Sequence, residues 1–239
     1  MIIDCHTHLL PGIDDGARDT DVSMEMLREE HCQGVDLVIA TPHFYANRDK
    51  IEKFIERRDR ALKKVLELEA SDIPMIKLAA EVAFFNGISK AEEIEKLCVE
   101  GTNTMLIEMP FDSWSDKTIN EIKELVTERG FNVILVHIER FLGFQGNAEK
   151  VDRLLAIPVT LQMNAECIIQ DGIFAKKKSR KMLEYIETGR VTLLGSDCHS
   201  MGTRKPNLAS GREKISGEAL ERIDRAGGKL FGGKPLGIE

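Results

Sequence analysis

An α/β fold, with a parallel sheet curled into a barrel, is what this sequence predicts, and three observations carry that expectation. Seven apolar runs of strand length alternate with stretches of helical periodicity. The runs are near-continuously apolar, as strands covered by helices on both faces are. No Gly-x-Gly-x-x-Gly follows any of them, which removes the usual ground for a dinucleotide-binding sheet. Seven units in one chain favour a barrel over an open doubly wound sheet, an alternative the residues alone leave open.

Each element has its own warrant. Ile2 and Ile3 begin the first strand, with no room for a helix before it, and Pro11-Gly12 and Asp14-Asp15-Gly16 form the turn that ends it. Val22, Met26 and Leu27 make the stripe of a helix over Asp21 to Cys32, stopped by Gly34. Val35 to Ala40 is the second strand. Asn47 to Glu69 reads as a long charged helix, Met75 to Ala80 as the third strand, and Lys90 to Val99 as a helix. Strand Met105 to Ile107, helix Asp116 to Arg129, strand Val133 to Val136 and helix Ala148 to Leu155 follow. Strand Val159 to Met163, helix Ala175 to Thr188 and strand Val191 to Leu194 complete the alternation. A helical stretch near Glu213 to Arg225 leads into a Gly-rich tail over 226–239. With no linker or internal repeat, residues 1–239 are expected to form a single domain.

Bulk properties exclude several classes. The 239 residues carry a net charge of -7, which argues against general affinity for nucleic acid or an anionic membrane. No apolar stretch reaches membrane-spanning length, and the N-terminus lacks the pattern of an export signal. Five cysteines without a Cys-x-x-Cys suit a reducing cytoplasm better than a disulfide framework.

The polar residues recur in register with the strands. His6 and His8 stand two apart, so on a strand both imidazoles leave one face. His43, Glu81, Glu108, His137 and the pair Asp197/His199 each follow a predicted strand. In a parallel barrel those ends share the face where active sites sit. One histidine at such a position is an ordinary capping or core group; five of the six in the chain are not. Imidazoles and carboxylates gathered in this way point to divalent metal with N/O ligands.

The ordered motifs also resemble a known family. His-x-His at the start, Thr-Pro-His43 after the second strand, Glu81 after the third, His137-Ile-Glu-Arg140 after the fifth and Ser-Asp197-x-His199 after the seventh are similar to the PHP family of metallophosphatases. The opening His-x-His-x-x-Pro-Gly-x-Asp-Asp-Gly, with Ala-Thr-Pro-His and Val-His-Ile-Glu-Arg, resembles its CpsB/YwqE-type branch of bacterial protein-tyrosine phosphatases. The similarity runs from residue 1 to about Pro206. It implies a distorted (β/α)7 barrel holding three divalent ions, manganese first, with iron, zinc or magnesium as alternatives. His6, His8, Glu81 and Asp197 would hold one ion. Glu81 would bridge to a second, completed by Glu108 and His137. Asp15, His43 and His199 would hold the third, with Asp14 shaping the turn. Arg140 and Arg204 would meet the phosphate. The implied substrate is a tyrosine-phosphorylated protein, a bacterial tyrosine kinase of capsule or exopolysaccharide regulation; a small phosphate ester such as histidinol phosphate is the alternative. Adjacent divalent ions acidify water and offset phosphate charge, so no covalent enzyme intermediate is required.

Three weaker signals compete. Cys198 to Arg204 is a Cys-x5-Arg match, which would imply a thiolate nucleophile, yet Cys198 alternates with two proposed ligands and points away from them if extended. Gly228 to Lys234 imitates a nucleotide loop but has Pro235 where Ser or Thr is needed, and Lys176 to Lys181, basic enough to dock an acidic phosphopeptide, reads rather as a solvated helix start. Aromatics cluster behind the site residues, among them Phe44, Tyr45, Phe111 and Trp114. Phe44 and Phe111 are the expected substrate-binding pair on a rim that receives a phenyl ring.

Overall fold

The computed structural model describes residues 1–169 and 173–232. Among the described residues nine short parallel strands alternate with helices: β1 (Ile3–Thr7), α1 (Thr20–Cys32), β2 (Leu37–Ala40), β3 (His43–Phe44), α2 (Ile51–Leu66), β4 (Met75–Leu78), β5 (Glu81–Ala83), β6 (Thr104–Glu108), α3 (Asp116–Thr127), β7 (Asn132–Leu135), α4 (Asn147–Leu154), β8 (Val159–Asn164), α5 (Glu166–Ile169), α6 (Ile173–Glu187), β9 (Leu193–Gly195), α7 (Leu208–Arg212) and α8 (Gly217–Phe231). The nine are seven strand units, because two are interrupted. Thr41-Pro42 separates β2 from β3, where proline has no N–H to give a ladder. Ala79-Ala80 separates β4 from β5.

The strands form a three-stranded sheet, β1-β2-β4, and a six-stranded sheet, β3-β5-β6-β7-β8-β9. The two are one curled surface: the first sheet continues into the second through both interruptions. β9 returns to β1 through Asp197 N–H donating to the His6 carbonyl at 2.8 Å and His8 N–H donating to that of Cys198 at 2.9 Å. That return closes a distorted (β/α)7 barrel and puts the first and last motifs side by side.

Alternation along the strands sorts the core. Val38, Met105, Ile107, Val133 and Leu135 join a large cluster with helix residues such as Leu27, Phe54, Ile119 and Ile122. Ile3, Cys5, Leu37, Ile39, Leu106, Ile134 and Leu193 form a smaller one that includes Phe231 of α8. The end of α8 seals the foot of the barrel. Lys77 Nζ, buried on β4, donates to the Phe231 carbonyl at 2.7 Å, and Thr104, which starts β6, donates to that of Leu230 at 3.3 Å.

The expected elements are present with two corrections. The stretch Lys90 to Val99 is not an α-helix but two 3₁₀ turns, Ile88–Lys90 and Ile94–Leu97. Glu93 lies in the left-handed region at φ 57°, which stops a helix from running through, while Ile94 and Leu97 still bury at three-residue spacing. The final helix starts later and runs further than its pattern suggests, because Gly227 and Gly228, expected in the tail, are helical. Gly227 faces the first strand: a Cβ there would stand 3.3 Å from Ile3 Cδ1, so its small size permits the approach. The rest of the tail, 233–239, lies outside the described residues, as do the side chains of Lys176 and Lys177.

Candidate metal centre

The residues singled out by strand position converge at one end of the barrel. A register shift between Asp4 and Thr7 releases β1 from strict alternation where His6 sits. The Nε2 atoms of His6 and His8 then approach to 3.2 Å. Two glycines let the neighbouring chain close on this strand. A Cβ on Gly16 would stand 2.0 Å from the His8 carbonyl oxygen, and one on Gly195 2.8 Å from His6 Cβ.

Glu81 is the hub. Its Oε2 lies 3.4 Å from His6 Nε2, 3.2 Å from His8 Nε2 and 2.8 Å from His43 Nδ1, while Oε1 lies 2.7 Å from His137 Nε2. Asp197 Oδ1 faces the first pair, 3.4 Å from His6 Nε2 and 3.5 Å from His8 Nε2. Glu108 Oε1 is 3.4 Å from His137 Nε2. On the open side, Asp15 Oδ1 lies 3.4 Å from His43 Nε2 and 3.6 Å from His199 Nε2. Ligand atoms fall into three compact groups: His6, His8 and Glu81; His43, Glu81 and Glu108; and His8, Asp15, His43 and His199. His8 and His43 thus stand nearer to second groups than a strict partition of nine ligands allots.

Several side chains are held in the form a cation needs. Asp14 does more than shape its turn: Oδ1 accepts from Gly16 N–H at 2.9 Å, while Oδ2 takes His8 Nδ1 at 2.8 Å and His43 N–H at 3.1 Å. His8 therefore presents Nε2 to the cluster. His199 donates from Nδ1 to the Asp197 carbonyl at 2.9 Å, which leaves Nε2 with a lone pair and no hydrogen-bond partner. Glu81 Oε2 and His43 Nδ1, despite their proximity, are likewise out of hydrogen-bond alignment. Buried polar atoms without partners are costly, and a cation among them would satisfy all three. The donor set of imidazole nitrogens and carboxylate oxygens fits divalent metal ions.

The electrostatics agree. Burial opposes charge on His6, yet the carboxylates of Glu81 and Asp197 outweigh it and raise the imidazole to about 9. Burial likewise opposes charge on His8, and Asp14 and Glu81 carry it to about 10. A field that strong favours any cation. Burial would raise Glu81 and Asp197, but the imidazoles, His6 foremost in charge, hold both well below the usual carboxylate range. His137 and Asp197 also adopt left-handed backbone, φ 35° and 54°, a cost that clusters where function over-determines the chain.

Arg140 and Arg204 sit together at the edge. Both guanidinium groups reach Asp197 Oδ2, Arg204 at 2.5 Å, and each side chain is 34% exposed and so open to the mouth. The expected aromatic pair separates. Phe44 is buried, its ring edge-on to Phe54 at 5.3 Å, because on β3 it alternates with His43 and so faces α2. Phe111 is 56% exposed; its ring lies 4.9 Å from that of Phe141, which lies 5.5 Å from His137. Tyr45 flanks His43 on the other side, ring to ring at 5.4 Å.

Strand β8 supplies what the sequence reading missed. Gln162 Oε1 accepts from His137 N–H at 2.6 Å, Gln162 Nε2 donates to Asn164 Oδ1 at 3.0 Å, and Asn164 Nδ2 donates to Asp197 Oδ2 at 2.8 Å. The signal was there: Gln-Met-Asn puts two amides at period two on an otherwise apolar strand. Cys198 is no nucleophile. Its thiol faces Glu30 on α1, 3.7 Å away, and burial followed by the Glu30 charge pushes it well above the usual thiol range.

Comparisons with known proteins bear on the family and the fold. The family described as "Capsular polysaccharide synthesis, CpsB/CapC" matches residues 2–225. Tyrosine-protein phosphatase YwqE of Bacillus subtilis is 27% identical over 212 residues, 85% of this chain and 79% of that one. Tyrosine-protein phosphatase CpsB of Streptococcus pneumoniae is 24% identical over 225 residues, 90% of each. A solved structure described as one of the "unique metal-dependent tyrosine phosphatases" YwqE and CpsB superposes with a TM-score of 0.79 at 23% identity, covering 98% of this chain and 96% of that one. A TatD-like protein of Archaeoglobus fulgidus shares the fold more distantly, with a TM-score of 0.51 at 13% identity over 95% of this chain and 99% of that one.

Proposed function

This chain belongs to the CpsB/CapC family of capsular polysaccharide synthesis, and from that premise we propose that it is a metal-dependent protein-tyrosine phosphatase. The observation that carries the reading is the convergence of nine imidazoles and carboxylates on one barrel end, with two guanidinium groups at the edge. His6, His8, Glu81 and Asp197 would hold one divalent ion, Glu81, Glu108 and His137 a second, and Asp15, His43 and His199 a third; manganese is the ion to test first. When bound, such ions supply Lewis acidity, acidifying water and offsetting charge on phosphoryl oxygens.

The remaining work falls to the chain's own residues. Asp14 fixes the tautomer and direction of His8, and the Asp197 carbonyl does the same for His199. Gln162 and Asn164 hold the His137 backbone and the Asp197 side chain in one register. Arg140 and Arg204 offer planar forks that match phosphate oxygens and orient the phosphoryl group. Phe111 at the mouth offers a ring face to the phenol. A tyrosine kinase of the capsule pathway is the natural physiological phosphoprotein, and a cytoplasmic setting fits it; among the described residues no helix is long and apolar enough to cross a membrane.

The test is hydrolysis of phosphotyrosine peptides and histidinol phosphate by metal-stripped and manganese-loaded protein. The expected result is turnover of the peptides only when loaded. Preference for histidinol phosphate would transfer the reading to a small-molecule phosphatase, and undiminished turnover after chelation would defeat both.

A further inference from the structure

Beside the histidine–carboxylate cluster opens a cleft of about 530 Å3 walled by Asp14, Asp15, His43, Tyr45, Arg48 and Arg57. Most of its charges are matched. Asp14 is taken by His8 at 2.8 Å, Asp15 faces His43 and His199, and Arg57 of α2 pairs with Asp49 just before that helix. Arg48 is the exception: it makes no ion pair among the described residues. Its guanidinium carbon stands 4.4 Å from the centroid of the Tyr45 ring, which itself flanks His43 at 5.4 Å. Arg48 N–H also donates to the Tyr45 carbonyl at 2.9 Å, so backbone and ring both hold this arginine at the cleft. Stacking immobilises a guanidinium without consuming its N–H donors.

We propose that this cleft receives the peptide flanking the phosphotyrosine, and that Arg48 on its Tyr45 platform selects substrates with an acidic side chain nearby. The inference rests on the phosphotyrosine reading and adds a substrate class to it. A protein substrate must leave the metal centre along the barrel mouth, and this cleft shares Asp14, Asp15 and His43 with the centre. The step from the His43 ring to the Tyr45 ring and the step from that ring to Arg48 together place the guanidinium within about 10 Å of the His43 ring, the reach of about three extended residues. A carboxylate is the ligand that matches the free fork in charge and shape.

Two phosphotyrosine peptides, identical except for Glu or Gln at the positions within about three residues of the phosphotyrosine, provide the test, with p-nitrophenyl phosphate as the flank-free substrate. The metal-loaded full chain should favour the Glu peptide in kcat/KM by about three- to fivefold at low ionic strength, and by less at high salt, as befits an exposed ion pair. Arg48→Gln should bring that ratio to about one, and Arg48→Glu should invert it in favour of the Gln peptide. Because the readout is a ratio within one variant, loss of overall activity does not obscure it. Hydrolysis of all substrates without charge preference, or a preference that survives Arg48→Gln, overturns the inference alone. Failure to hydrolyse any of them, p-nitrophenyl phosphate included, overturns the phosphatase reading and this inference with it.

Discussion

At the scale of single residues, burial separates what works from what merely matches a pattern. Cys198 fits the spacing of a cysteine phosphatase, but it is fully buried, faces Glu30, and its thiolate is suppressed. Among the five cysteines only Cys32 is exposed. Iodoacetamide at neutral pH should therefore label Cys32 and spare turnover, and Cys198→Ser should keep most of its kcat; an inactive, folded, metal-loaded Cys198→Ser would restore the thiol mechanism. Glu81 makes the opposite case, because its two oxygens serve different imidazoles. Glu81→Ala should release about two metal equivalents and Asp15→Ala about one, by ligand count; equal loss in elemental analysis would remove Glu81 from its bridging role. Those candidate ligands were legible because five of the six histidines recur at strand ends together with carboxylates. Gln162 and Asn164 left only the fainter mark of two amides at period two on one strand, with no charge or metal preference to give it a role. Asn164→Leu would take the amide donor from Asp197 Oδ2 and leave that oxygen to the two guanidinium groups, and metal affinity should fall about 10- to 100-fold, as outer-shell partners usually set, measured by titration with a chelator competitor.

At the scale of elements, the alternation of strand and helix was legible from apolar runs, and the places it failed are ones where local periodicity is silent. Pro42 breaks the second strand unit, yet the chain resumes at His43, and only the neighbouring β5 shows that the two-residue β3 is a strand. The 3₁₀ turns Ile88–Lys90 and Ile94–Leu97 bury apolar residues at a spacing an α-helix also allows, so sequence pattern could not separate them. The end of α8 was hidden by Gly227 and Gly228, which weaken helix propensity, although Gly227 makes room for the first strand. That helix end carries weight: Phe231 is fully buried in the small cluster, and its carbonyl receives the buried Lys77 ammonium. Phe231→Ala should cost about 3–5 kcal/mol in denaturant unfolding, the range for emptying a large aromatic site. A loss below about 1 kcal/mol, typical of a surface site, would mean that the foot of the barrel is not sealed there.

At the scale of the whole molecule, closure of β9 onto β1 turns scattered motifs into one centre, since Asp197 N–H donates to the His6 carbonyl and His8 N–H to the Cys198 carbonyl across most of the chain's length. The barrel thereby divides labour by depth. The histidines and carboxylates at the strand ends are mostly buried, with Asp15 exposed on the open side, Arg140 and Arg204 stand half-open above Asp197, and Phe111 is an exposed ring. Selectivity should follow the same order. A guanidinium meets the phosphate of any substrate, so Arg204→Ala should slow aryl and alkyl phosphates alike, by about 10- to 1000-fold if it contributes what a charge-assisted contact in a transition state commonly does. A rim aromatic adds about 0.5–1.5 kcal/mol beyond area burial, so Phe111→Ala should cost several-fold on phosphotyrosine and nothing on an alkyl phosphate. Phe44→Ala, by contrast, empties a buried site beside Phe54 and should lower stability without moving the aryl-to-alkyl ratio. The decisive measurement is that ratio of kcat/KM in the three variants. If Phe111→Ala leaves it where the wild type has it, the ring at the mouth is packing for Phe141 and the preference for a phenol is set deeper in the barrel.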